Sequence, residues 1–203
     1  MSTGARSDRG AEDWVALDLE TTGLSPASDR IVEIGVVRFD AAGREIASWA
    51  TILDPERDPG PTDVHGIGHR EVRGAPRFSE IAHELVWRLG GARIVAHNAS
   101  FDRGFLVTEL GRVGADWSGA QLVCSMRASR HAGIGPKNTL AACCEALGIS
   151  NPAAHSALAD ARAAGQVLIT LLPALAGFTD LAAPPAPWAP PPARLARVRQ
   201  RGQ

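Results

Sequence analysis

An α/β domain is the fold class this sequence predicts: runs rich in Val, Ile and Leu precede and then alternate with segments whose apolar residues recur at helical spacing. Its 203 residues suit one full-sized domain with short appendages, since roughly 150 residues is a common domain length. Apolar residues make up 45% and charged residues 21%, a balance that supports a sizeable core and excludes disordered or collagen-like chains.

The run Asp13–Glu20 is rich in strand formers and is followed by the turn-like Thr-Thr-Gly-Leu-Ser-Pro. Ile31–Phe39 and Glu45–Leu53 predict two further strands, joined by the short Asp40-Ala-Ala-Gly43 link of an antiparallel hairpin. Between Pro76 and Gly90, the spacing of Phe78, Ile81, Ala82, Leu85 and Leu89 predicts a helix that Gly90-Gly91 stops. Arg93–His97 predicts a short strand, followed by a helix on the periodicity of Phe101, Phe105, Leu106, Leu110 and Val113. Gln121–Cys124 predicts a fifth strand, Thr139–Leu147 a small helix and Leu158–Leu172 a longer one. The expected organisation is a disordered segment at 1–12, the domain at 13–180, and a Pro/Ala/Arg-rich flexible tail at 181–203.

No stretch reaches the roughly 18 continuous apolar residues of a membrane span, and Met1–Glu12 lacks a signal-peptide core, so a cytoplasmic location is expected. Cys124, Cys143 and Cys144 are an odd set containing one adjacent pair, which predicts reduced thiols. A net charge of −1 excludes a protein that coats nucleic acid by bulk electrostatics, so any such binding is local.

Asp18 and Glu20 stand one residue apart on a predicted strand, whose two-residue period points both carboxylates to one face. Asp18 also interrupts an apolar run, where a charge is excluded unless something, such as a cation, compensates its desolvation. His97-Asn-Ala-Ser-Phe-Asp102 follows at a strand-to-helix junction, and His155-Ser-Ala-Leu-Ala-Asp160 opens the last helix. Taken singly, Asp102 and Asp160 also read as charges that favour a helix N-terminus, and His155 as a surface residue. Five residues of helix advance about 500°, so His155 and Asp160 converge only if the histidine precedes the helix in a loop.

Four carboxylates without a cysteine or histidine cluster suit hard ions such as Mg2+ or Mn2+ better than zinc. Two such ions about 4 Å apart serve an in-line phosphodiester displacement. An imidazole, with an ordinary pKa near 6.5, takes a proton from water.

Together these motifs resemble those of the DEDD-type 3′-to-5′ exonucleases of the histidine subclass, over roughly Trp14–Leu172. The family's Asp-x-Glu-Thr-Thr-Gly-Leu matches Asp18–Leu24, its second motif His97–Asp102, and its third His155 and Asp160. The chain has no tyrosine, which excludes the sister subclass. The resemblance implies a ribonuclease-H-like fold, with a mixed five-stranded sheet flanked by helices. It implies Asp18, Glu20, Asp102 and Asp160 as ligands of two Mg2+ or Mn2+ ions and His155 as general base. It further implies Thr21, Leu24, Val64, His65 and Phe101 around the terminal nucleotide. The implied partners are a single-stranded 3′ end of DNA or RNA, the nucleoside monophosphate product and, for proofreading members, a DNA polymerase subunit. No sliding-clamp-binding motif or long polymerase-tethering segment is found.

Arg127, Arg130, His131 and Lys137 form a basic stretch that could guide phosphates or be a solvated loop. Trp14, Trp49, Trp87 and Trp117 are not spaced as a stacking platform and are expected in packing roles.

Overall fold

The computed structural model describes residues 13–183, 186–187 and 189–201; the segment 1–12 expected to be disordered lies outside them. Strands β1 (Trp14–Thr21), β2 (Ile31–Phe39) and β3 (Glu45–Ile52) form an antiparallel meander, and β4 (Arg93–Ala96) and β5 (Leu122–Cys124) add to it in parallel. The sheet order β3-β2-β1-β4-β5 puts β1 at the centre, between an antiparallel and a parallel neighbour.

Side-chain alternation divides the core between the two faces of this sheet. Val15, Leu17 and Leu19 of β1 pack with Phe78, Ile81 and Leu85 of α3 (Phe78–Leu89) and Phe105, Leu106 and Leu110 of α4 (Ala99–Arg112). Trp14 and Ala16 face the other way, with Val37 and Phe39, toward α6 (Leu140–Leu147) and α7 (Ala157–Leu171). All nine residues of β2 are buried, on both faces of the sheet, which is why it reads as a nearly continuous apolar run.

The five strands and the helices α3, α4, α6 and α7 match the sequence expectation to within a few residues. The structure adds α1 (Thr62–His65), α2 (His69–Val72) and α5 (Ser125–Ala132), and the last of these contains most of the basic stretch read as a possible loop. Arg127 pairs with Asp180 at 2.9 Å and His131 contacts the Ala176 carbonyl at 3.2 Å, so both face the residues after α7. Trp14, Trp49 and Trp117 are buried and Trp87 is half-buried, in keeping with packing roles, and all three cysteines are free and buried. No helix among the described residues is long and apolar enough to cross a membrane.

The described residues of the 181–203 segment lie along the domain. Ala186 exchanges backbone hydrogen bonds with Gly91 and Ala92, the Ala196 amide donates to Glu84 at 2.7 Å, and Arg199 bonds Thr51 and Ile52 at the end of edge strand β3.

α7 approaches the sheet through glycine. A Cβ on Gly165 would lie 2.4 Å from the Phe39 ring and 3.0 Å from the Ala16 Cβ. Gly165→Ala is therefore expected to destabilise the domain by about 1–3 kcal/mol through overpacking. An unchanged midpoint in denaturant unfolding would contradict this contact.

Candidate active site

Parallel pairing of β1 with β4 covers only Trp14–Ala16, so the second half of β1 projects beyond β4. Asp18 and Glu20 lie on this projecting half, on the face shared with Ala16 and turned toward α7. β4 then gives way to α4, whose first turn carries Asp102 into the space beside β1. Asn98 makes that turn in the left-handed conformation (φ 63°), which asparagine tolerates better than most residues. The carboxylates thus gather at the C-terminal end of the parallel strands, where open α/β sheets bind ligands.

Asp18, Glu20 and Asp160 offer carboxylate oxygens that lie within 4.8 Å of one another. Asp102 is adjacent but stands outside this triplet: it is 2% exposed, and its carboxylate accepts from the backbone of Leu19 and its own amide. Its charge still reaches the cluster, being the largest carboxylate influence on Asp18. Burial, reinforced by Asp102, Asp160, Glu20 and Glu33, holds the Asp18 carboxyl well above the usual carboxylate range. Burial and the charges of Glu33 and Asp160 push Glu20 up to about 7, against a smaller lowering by Arg201. Burial pushes Asp102 up to about 8. A divalent cation fits this donor set, since oxygen ligands surround a spot where ionised carboxylates are short of compensation.

His155 precedes α7 in a loop, as its convergence with Asp160 requires, and takes a left-handed backbone conformation (φ 65°). Its amide donates to Asp160 Oδ2 at 2.9 Å, while Asn151 donates to Oδ1 at 2.6 Å. The His155 side chain is exposed, two residues before a helix start fixed against the sheet. His97 of the second motif serves the frame instead: its ring bridges Ser125 at 3.0 Å and the Asn138 carbonyl at 2.9 Å, and burial lowers its pKa.

Around the cluster, Thr21 is buried with its hydroxyl donating to the Gly23 carbonyl at 2.6 Å, and Phe101 packs at 5.0 Å from Phe105. Leu24 (85%) and Val64 (51%) are exposed apolar side chains. His65 is 2% exposed, and its Nδ1 accepts the Ile67 amide at 3.1 Å. The ring is turned inward to shape the α1 turn.

Two residues of the site were missed in the sequence. Glu33 is buried opposite Glu20 in the β1–β2 register, and Arg201 reaches it from the C-terminal segment. For Glu33 a signal existed, a charge inside the apolar run of β2, the same one that marked Asp18.

The architecture defines a class: the ribonuclease-H-like nucleases, with a mixed five-stranded sheet and carboxylates at the end of its central strand. The family model for exonucleases of the RNase T type, described as Exonuclease, matches residues 15–168. The DNA polymerase III subunit epsilon-like protein of Rhodobacter capsulatus is 36% identical over 170 residues, covering 80% of this chain and 24% of that protein. The DNA polymerase III subunit epsilon of Escherichia coli is 31% identical over 172 residues, covering 77% of this chain and 70% of that subunit. Among solved structures, E. coli exonuclease I in complex with a dA16 oligonucleotide superimposes with a TM-score of 0.68 at 22% identity, covering 79% of this chain and 40% of that one. The chain belongs to this exonuclease family, and within it to the epsilon-like members of DEDD type.

Metal and pH are therefore linked in stability. Glu20 and Asp102 hold protons that the unfolded chain, near 4.5 and 3.8, has released, so the folded form loses stability as pH rises through 7 and 8. Burial lowers the pKa of His65 and His97 from 6.5, which adds the opposite slope only below that value. In chelator, Tm is expected to fall between pH 6.5 and 8, and added Mg2+ to raise Tm more at pH 8 than at pH 6.5. A chelated Tm that climbs across this interval would contradict the buried-carboxylate picture.

Proposed function

We propose that this chain is a divalent-metal-dependent 3′-to-5′ exonuclease that releases nucleoside monophosphates from the 3′ end of DNA. The observation that carries the proposal is the triplet Asp18, Glu20 and Asp160 within 4.8 Å, with the His155 amide bonded to Asp160. The DNA assignment is supported by relatives at 31–36% identity named for a DNA polymerase subunit, although the chain spans only about a quarter of the Rhodobacter protein.

Asp18, Glu20 and Asp160 would hold the cations, with Asp102 completing the acidic set from α4. When bound, two Mg2+ or Mn2+ ions would activate the attacking water and stabilise the leaving oxygen. His155 takes the proton of that water as general base. Its backbone amide is tied to Asp160 at 2.9 Å, and the exposure of its side chain lets the ring turn toward the reacting water. Exposed Leu24 and Val64 border the terminal nucleoside, with Thr21 and Phe101 forming the wall behind and His65 holding the shape of the α1 turn. The name of the E. coli relative, a DNA polymerase III subunit, supports a DNA polymerase subunit as the proposed partner.

Asp18→Ala or Asp160→Ala is expected to abolish Mg2+-dependent mononucleotide release. His155→Ala is expected to slow release by about 10²–10⁴-fold while Mn2+ still binds. Full activity in either aspartate variant removes the mechanism. Matched DNA and RNA oligomers test the sugar: faster release from DNA is expected, and faster release from RNA reassigns the chain as an exoribonuclease. Binding of both without release would make it a non-catalytic nucleic-acid module.

A further inference from the structure

We propose that Glu33, a buried carboxylate outside the three motifs, is a positioning residue that locks the third-motif segment onto the sheet. The inference rests on the metal-site reading above and deepens it. Glu33 is 3% exposed on β2, directly across from Glu20, and its Oε2 accepts the amide of Ala157 at 2.9 Å. Ala157 is the first residue of α7, and the preceding Ser156 provides no side-chain cap, so a carboxylate 124 residues earlier in the chain performs that service.

Gly35, two residues along the same strand and paired with Asp18, makes the approach possible: a Cβ there would lie 2.2 Å from the Ala157 backbone. The start of α7 is thereby pinned by close packing at Gly35 and a charge-assisted hydrogen bond at Glu33. His155 lies two residues before this pin and Asp160 three residues after it. One contact therefore sets both third-motif groups against Asp18 and Glu20.

A second set of bonds reinforces the lock. Arg201 donates to both Glu33 oxygens, Nε to Oε1 at 2.9 Å and Nη2 to Oε2 at 2.8 Å, and Nη2 also reaches the His155 carbonyl at 2.7 Å. Placing another carboxylate beside Glu20 is electrostatically costly, and a fixed helix start supplies the compensating benefit. The acceptor oxygen at Oε2 is the essential element, so glutamine retains the function and alanine loses it.

The test compares Glu33→Ala with Glu33→Gln, reading kcat and KM on a single-stranded oligodeoxynucleotide with Mg2+, and Mn2+ affinity of the free protein by calorimetry. Glu33→Ala is expected to lower kcat and Mn2+ affinity by about 10–100-fold, the usual reach of residues that orient metal ligands, with KM little changed. Glu33→Gln is expected to restore kcat to within a few-fold of the native protein. Native kcat and Mn2+ affinity in Glu33→Ala overturn the inference, as does a glutamine variant no better than the alanine one. If the native protein itself binds no Mn2+, the metal-site reading fails instead, so the two failures are distinguishable.

Discussion

Ionised carboxylates packed together away from water repel one another, and each loses hydration that a folded protein must replace. Asp18, Glu20 and Asp160 sit within 4.8 Å with Asp102 and Glu33 close by, and the carboxyls of Asp18, Glu20 and Asp102 cling to protons well above their ordinary range. A bound cation of high charge resolves this tension, and the rest of the molecule can be understood as the frame that holds the groups in place for it. Carboxyls perturbed by burial and by one another are a usual signature of a site shaped for function.

The frame draws each acidic group from a different element. β1 places two carboxylates on one face through strand alternation and extends them beyond its parallel neighbour, leaving room for α4 to bring Asp102 alongside. α7 crosses the same face on glycines, Gly35 on the strand and Gly165 on the helix, which lets its backbone approach closely enough for Asp160 to join. The His155 loop is anchored through Asp160, so the two third-motif residues share one local structure.

Much of this could be read from the chain alone. The apolar runs gave the strands, the helical periodicity gave α3, α4, α6 and α7, and Asp18 stood out as a charge where burial was expected. Glu33 carried the same mark and went unread, because its partner is a backbone amide 124 residues away that leaves no imprint on sequence. α5 was not foreseen because its eight residues, Ser-Met-Arg-Ala-Ser-Arg-His-Ala, bury only small side chains and so lack an apolar stripe. α1 and α2 span a single turn each, too short for periodicity to register. The bond from the Ile67 amide to His65 Nδ1 is likewise local and is not announced by residue type alone. Arg201 reached the site because the segment bearing it bonds along β3, a tertiary outcome with no local pattern.

The central claim, that distant parts of the chain meet to bind hard cations, is tested most directly by anomalous diffraction from crystals soaked in Mn2+. The account predicts manganese density bounded by Asp18, Glu20 and Asp160. Density only elsewhere, or none at saturating Mn2+, would contradict it.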